Sequence, residues 1–170
     1  DATLSGGGAA VISFPSATGT LATLALEENL PLAYDAALSA DGKYSGIVRA
    51  GTAGATLAFG DLCYLAVADS RWELADADAA STSGDVILGI CVLAAAGDAS
   101  ATTMLLQGFV RADTAFPTFT IGAPVYVGTT AGDVQVAQPS ATDDVIRKVG
   151  IATTADELYF NPSMDYITHT

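Results

Sequence analysis

The chain has 170 residues, of which 51% are apolar, so it is long and apolar enough to build one compact domain around a core. Six basic residues stand against nineteen acidic ones, which gives a net charge of -13. A surface of that sign repels phosphate backbones and anionic lipid, so we expect neither nucleic acid nor a membrane among the partners.

The first 45 residues differ from the rest. A flexible Gly6–Gly8 run precedes short apolar stretches, and Pro15 and Pro31 interrupt them. Such a segment has no partner face of its own, so it predicts an extended arm (1–45) that packs on its own domain or on a neighbouring subunit. Its candidate assembly contacts are Val11, Ile12, Phe14, Leu21 and Leu24.

From Gly46 the apolar pattern has a period of two, and turn residues separate the apolar runs. The predicted strands are Ile47–Ala50, Thr56–Phe59, Leu62–Val67, Trp72–Ala75, Val86–Leu93, Met104–Ala112, Phe119–Ile121, Val125–Val127, Val134–Ala137, Val145–Thr153 and Leu158–Phe160. Short strands with frequent turns are typical of an all-β barrel or sandwich. We therefore predict a β domain over 46–163, followed by a C-terminal tail over 164–170.

A duplication runs through this domain. GIVRAGTA at 46–53 returns as GFVRADTA at 108–115, and the same offset matches Gly60 with Gly122 and Tyr64 with Tyr126. At one residue less of offset, 88–90 (LGI) matches 149–151 (VGI). The halves 46–94 and 108–155 are thus expected to share one strand layout, and to form a closed barrel with a pseudo-twofold axis, which would remove exposed strand edges.

The repeat register also predicts the surroundings of single residues. Cys63 aligns with Val125 and Cys91 with Ala152, which favours two buried free thiols over a disulfide, although a disulfide stays open. Trp72 aligns with Val134, which favours a core position over an exposed ligand shelf.

Two arginines occupy equivalent positions in the two halves of the repeat. Arg49 and Arg111 are two of only six basic residues, and they recur at the same place in both halves. A long cation in such a place more often pairs with a carboxylate than binds a ligand, so we expect both to form ion pairs on the rim of the barrel.

The inventory for catalysis is poor. The one histidine, His169, lies beside the C-terminus, where chains fray, so a Ser-His-Asp or Cys-His arrangement is not expected. Two distant cysteines and a tail histidine do not make a zinc site. The acidic run from Asp76 to Asp85 has oxygen ligands that suit Ca²⁺, but its spacing does not match a calcium loop, and a solvated hairpin loop is the favoured interpretation. We expect no enzyme, cofactor or metal site.

An ordered series of segments resembles a β-rich module of tailed-phage structural proteins. The series covers residues 46–163 and reads LAFGDLCYLAVADSRWELADADA, ILGICVLAAAGD, LLQGFVRAD, TIGAPVYVGTTAGDVQVAQPS and VIRKVGIATTADELYFNPS. Upstream, ISFPSATGTLATLA resembles a segment of phage fibre-type proteins, whereas ALEENLPLAYD departs from the fibre pattern.

This resemblance implies a non-enzymatic virion component of the capsid decoration or head-fibre type. It would lie on the capsid exterior, contact subunits of the major capsid protein and associate with itself, as a homotrimer. The alternative is a receptor- or carbohydrate-binding module of a head or tail fibre. An exposed aromatic shelf around Trp72 would favour that alternative.

Overall fold

The computed structural model describes residues 38–170. The candidate contacts Val11, Ile12, Phe14, Leu21 and Leu24 lie outside these residues, as does nearly all of the predicted arm. Within the described range the chain is almost entirely β, which confirms the predicted fold class. Its elements are β1 (Lys43–Thr52), β2 (Leu62–Leu65), β3 (Trp72–Leu74), α1 (Ala80–Ser83), β4 (Leu88–Leu93), β5 (Ala101–Arg111), β6 (Pro124–Val127), β7 (Val134–Gln135), β8 (Val145–Ile146), β9 (Lys148–Ala152), β10 (Glu157–Phe160) and β11 (Ile167–Thr168).

Nine of these strands form one curled antiparallel sheet. Its path is β3-β2-β4-β5-β10-β9-β6-β7, with β1 paired to β5 outside that path. β1 follows β5 from Ala101 to Arg111, so β4 and β10 share the opposite edge of β5, each along part of its length. β8 and β11 form a separate two-stranded ladder.

The predicted duplication is confirmed in the pairing of the strands. Tyr64 lies on β2, which pairs with β3 and β4, and Tyr126 lies on β6, which pairs with β7 and β9. The turns before the two strands agree in their hydrogen bonds, because Gly60 N–H donates to Cys91 O at 2.9 Å and Gly122 N–H to Ala152 O at 2.9 Å. Both glycines have positive φ, +95° and +80°, a conformation that only glycine adopts at no steric cost.

The halves meet at a pair of equivalent glycines. Gly46 on β1 lies directly opposite Gly108 on β5. A Cβ on Gly108 would lie 2.2 Å from Ser45 O and 2.6 Å from the Gly46 Cα, so neither backbone leaves room for a side chain. Two glycines at this crossing let β1 and β5 approach where β5 passes from one half of the sheet to the other.

Equivalent faces of the two halves do not have equivalent surroundings. We call the face that carries Cys63 and its equivalent Val125 the front face, and the face that carries Ile90 and its equivalent Ile151 the back face. The main core cluster joins the back face of the first half, including Leu62 and Ile90, to the front face of the second, including Val125. A smaller cluster covers the front face of the first half. It contains Ala53, Leu57, Cys63, Trp72, Cys91, Ala95 and Met104.

The expected closed barrel is wrong within the described residues, because no ladder joins β3 to β7 at the two ends of the path. Loop hydrogen bonds join these ends instead. Leu62 N–H donates to Gly132 O at 2.7 Å, and Gly132 N–H donates to Ala75 O at 2.8 Å. As far as residues 38–170 show, the sheet therefore curls like half a barrel, and the outer edge of β1 carries no ladder, with a single bridge from Ala53 to Trp72 directly after the strand.

Two predicted strands, Thr56–Phe59 and Phe119–Ile121, are not strands. The first makes a single bridge, from Leu57 to Ala95. The second makes one bond to a distant segment, from Phe119 N–H to Ala155 O, and one turn bond, in which Thr120 O accepts from Ala123 N–H. They are equivalent segments that cross over the front face of their half and place Leu57 and Phe119 in the cores. Their alternating pattern reflects this burial and not a strand ladder.

The predicted strand Val145–Thr153 is broken at Arg147, which separates β8 from β9. Arg147 is buried, and its guanidinium donates to the carbonyl oxygens of Ser83 (3.0 Å), Gly84, Val86 (2.9 Å) and Ser163 (2.8 Å). Burial lowers the pKa of this guanidinium, partly offset by the charge of Asp85. The side chain ties the loop at 83–86 to the segment after β10, at the point where the chain passes from β8 to β9.

Candidate interaction surface

The most exposed part of the sheet is β1. Tyr44, Ile47 and Val48 are 42%, 46% and 44% exposed, so apolar side chains face solvent on both sides of this strand. Lys43 and Arg49 are also exposed, and β1 contains no acidic residue, in a chain with a net charge of -13. A long, apolar, basic edge in an acidic protein is a surface on which another chain could pair.

An apolar groove lies beside β1, with a volume of about 440 Å³. Ile47, Ile87 and Met164 are its exposed apolar members, and the side chains of Leu106 and Gln107 contribute from β5. The groove exists because Arg147 holds the loop at 83–86 against the segment after β10. Its lining is mostly apolar, with few polar groups to orient a ligand.

A row of apolar side chains continues from the groove across the second half. In register across β5, β10, β9 and β6 stand Phe109, Tyr159, Ile151 and Pro124. The Phe109 and Tyr159 rings are 5.0 Å apart and tilted by 39°. We call these four residues the aromatic row; Ile151 in it is 51% exposed.

Two amide side chains connect the groove with the aromatic row. Gln107 Nε2 donates to the Tyr159 hydroxyl at 3.4 Å and to Asn161 Oδ1 at 3.4 Å. Gln107 and Asn161 both line the groove as well. The β1 edge, the groove and the aromatic row therefore form one continuous surface with apolar area and a few amide and hydroxyl groups. Binding by shape and burial suits such a surface better than bond-making chemistry.

The predicted ion pair is confirmed for Arg111, whereas for Arg49 no partner lies within residues 38–170. Arg111 Nε and Nη2 donate to the two carboxylate oxygens of Asp113 at 2.7 and 3.1 Å, and this hydrogen bonding holds the pKa of Asp113 below its ordinary value. Arg49 forms no ion pair with any residue of 38–170. The equivalent of Asp113 in the first half is Gly51, where a Cβ would lie 2.5 Å from the Trp72 indole nitrogen.

The interpretation of Cys63, Cys91 and Trp72 as core residues is confirmed. All three are fully buried in the smaller cluster, and the two thiols are free. Burial raises the pKa of both thiols, so neither is an activated nucleophile. The exposed shelf around Trp72 that would favour sugar binding is not there.

The acidic loop folds on itself. Asp76 Oδ1 accepts a hydrogen bond from Asp78 N–H at 2.9 Å, and Thr82 Oγ1 donates to Asp76 O at 2.8 Å. The nearby charge of Asp76, together with burial and Asp144, raises the pKa of Asp78. Within 38–170, no group of three Asp, Glu, His or Cys residues is arranged to hold a metal ion.

The expectation of a frayed end at His169 is wrong. Its N–H donates to Asp144 O at 2.8 Å and its carbonyl accepts from Asp143 N–H at 2.8 Å, beside the β8–β11 ladder. The buried thiols belong to the smaller core cluster, so the structure does not join His169 and a cysteine in one site.

No helix in the described part of the chain is long and apolar enough to cross a bilayer.

Sequence reasoning missed the surface on β1. It predicted a strand at Ile47–Ala50 but expected closure of the barrel to cover that edge. A signal was present, because apolar residues stand next to each other at Ile47 and Val48, whereas a strand with one buried face alternates.

Comparisons with protein-family models, with curated proteins and with solved structures find no match to this chain.

Proposed function

We propose that this chain is a non-enzymatic structural component of a tailed-phage virion that decorates or cements the capsid surface. The observation that carries the proposal is the ordered series of segments over 46–163 that resembles phage structural modules. The proposed partners are subunits of the major capsid protein and sister copies of this chain in a homotrimer. The proposed location is the capsid exterior.

What supports the proposal is the character of the exposed surface. The β1 edge, the groove and the aromatic row offer apolar area to a partner, and apolar area removed from water contributes about 25 cal/mol per Å². The remaining surface is strongly acidic, as suits a particle component that must stay soluble. A protein that binds only the assembled capsid stabilises it by mass action.

The test compares otherwise identical particles with and without the protein. We expect particles that lack it to rupture at a lower temperature or a lower internal pressure, and re-addition of the purified protein to restore the rupture point. Thermal and osmotic rupture, followed by release of DNA, are the measurements. Equal rupture points in both preparations would eliminate the cementing function.

The second candidate is a receptor- or carbohydrate-binding module, and the aromatic row favours it. Phe109 and Tyr159 present half-buried rings beside the amides of Gln107 and Asn161, a combination of stacking surface and hydrogen-bonding groups that suits a sugar. On this alternative Tyr159→Ala abolishes glycan binding and host adsorption but leaves particle rupture unchanged. On the cementing function, loss of the whole protein lowers the rupture point but leaves adsorption unchanged.

A further inference from the structure

We propose that the outer edge of β1 is a self-association site that takes up the N-terminal segment of a second copy of this chain as an added β-strand. The proposal deepens the self-association part of the proposed function and rests on it, but it does not depend on contact with a capsid. It assigns the contact to one strand edge and one donor segment.

The first argument is the pairing of β1 compared with that of its equivalent. Within residues 38–170, the only ladder of β1 is the one with β5, and directly after the strand Ala53 makes a single parallel bridge to Trp72. In the second half, the equivalent strand β5 has neighbours on both edges, with β1 on one side and β4 and β10 on the other. The layout that the duplication repeats thus accepts a strand at this position, and among residues 38–170 the first half has none there.

The second argument is the shape and chemistry of the edge. β1 is ten residues long, contains no proline, and exposes apolar side chains on both faces. Natural sheet edges are usually short, bulged, charged or covered, because an open apolar edge pairs with other chains. A partner strand adds main-chain hydrogen bonds along the edge and buries the side chains of Tyr44, Ile47 and Val48.

The third argument selects the occupant. Residues 9–14 (AAVISF) are an apolar run with candidate contacts on both faces, and Pro15, which lacks an N–H, ends it. The acidic residues of 1–37 are Asp1, Glu27, Glu28 and Asp35, and the segment contains no Lys, Arg or His. The run 9–14 itself contains no charged residue, so it places no like charge opposite Lys43 or Arg49 on β1.

A second β1 is a poorer occupant. In an antiparallel pairing centred on Gly46, Lys43 would stand opposite Arg49 of the partner subunit, and like charges directly opposite each other destabilise a strand pair. The uncharged run 9–14 avoids this conflict.

The experiment measures oligomeric state and contact together on the full chain. Light scattering after size-exclusion chromatography compares the wild type with Val48→Lys, with Ile12→Asp and with Val67→Lys as control. Val48 and Val67 are both exposed, so Val48→Lys and Val67→Lys make the same change on and off β1. We expect Val48→Lys and Ile12→Asp to weaken association at least about tenfold and Val67→Lys to leave it unchanged. Thermal unfolding of each variant shows that the domain stays folded.

Cross-linking identifies the donor. Val48→Cys protein and Ile12→Cys protein are mixed with tags of different size and oxidised; the native thiols are buried and do not compete. We expect a mixed cross-linked dimer that forms only with both variants. A third protein that carries both substitutions in one chain tests whether the segment instead pairs with β1 of its own chain. Three results would overturn the proposal: no mixed dimer, a cross-link that in the double variant forms only within one chain, or association unchanged by Val48→Lys. A wild type that is monomeric at all concentrations would remove self-association as well.

Discussion

Ile90 and Ile151 occupy the same place in the two halves of the domain, yet Ile90 is 0% exposed and Ile151 is 51% exposed. Each lies on the strand that pairs with the tyrosine-bearing strand, in the same register. The same contrast separates Leu62, which is fully buried, from Pro124, which is partly exposed. The duplication has reproduced the strands and their hydrogen bonds but not their surroundings.

The reason is that the halves pack back to front. The back face of the first half covers the front face of the second, and the back face of the second half is left with no equivalent cover in the described residues. If a twofold axis related the two halves, the same face of each half would be buried. In a head-to-tail packing, one face of one half stays uncovered. The aromatic row is that remaining face, which explains why an apolar surface is present on this acidic protein.

The largest expected effect lies at the junction of the halves. Gly108→Val places a branched side chain where the first added carbon already meets Ser45 O at 2.2 Å and the Gly46 Cα at 2.6 Å. Both neighbours are backbone, so β1 must move away from β5, and we expect a loss of about 4 kcal/mol in the free energy of unfolding. Urea denaturation followed by circular dichroism measures it.

Gly97→Val is the control for this prediction. The nearest atom to a Cβ there is Thr56 Oγ1 at 4.0 Å, so the same substitution meets no backbone. We expect a change of less than about 1 kcal/mol. If the two variants unfold at the same urea concentration, the close approach of the halves at Gly46 and Gly108 is wrong.

The next effect tests the unequal faces directly. Ile90→Ala deletes buried methyl groups from the main core cluster and should lower the free energy of unfolding by about 3 kcal/mol. Ile151→Ala makes the same change at the equivalent exposed position and should lower it by less than about 1 kcal/mol. Equal losses would mean that a partner or another segment covers the aromatic row in the isolated protein.

A smaller effect concerns Arg147, whose counterpart in the first half is Val86. Arg147→Met fills similar space but leaves the carbonyl oxygens of Ser83, Val86 and Ser163 without their donor. We expect a loss of about 2 kcal/mol in the free energy of unfolding, since water from the adjoining groove can replace some of these bonds.

Arg71→Met is the matched control for Arg147. The Arg71 side chain is one-third exposed and pairs with Asp69 and Asp98 at the surface, where an ion pair contributes little. We expect Arg71→Met to lower the free energy of unfolding clearly less than Arg147→Met does. If Arg147→Met is as mild as Arg71→Met, the buried guanidinium does not hold the loop at 83–86 against the segment after β10.

Much of the fold could be predicted from the sequence, because the period of two, the turn residues and the register of the repeat are local signals. They located most strands, and they placed Cys63, Cys91 and Trp72 in a core. The crossover segments around Leu57 and Phe119 were wrongly predicted as strands, because a buried extended segment shows the same alternation of apolar and polar residues as a strand. The direction in which the halves pack was invisible, since Ile90 and Ile151 stand in nearly identical sequences, LGI and VGI. Only the three-dimensional arrangement shows that one of them faces solvent.

The smallest effect sharpens the comparison of the two equivalent arginines. Two hydrogen bonds from Arg111 hold the pKa of Asp113 below its ordinary value of 3.8. A carboxylate whose pKa is lowered by folding contributes stability above its ordinary pKa, and this contribution is lost as the pH falls through the lowered value. Arg111→Gln should therefore return the pKa of Asp113 to about 3.8, and its stability difference from the wild type should shrink as the solution is acidified. A pH titration of the carboxyl carbon resonances by NMR measures the pKa.

Arg49→Gln is the control, and it should shift the pKa of no carboxylate, because Gly51 stands where the second half has Asp113. A shift in that variant would reveal a carboxylate partner for Arg49, and an unchanged Asp113 pKa in Arg111→Gln would contradict the pair.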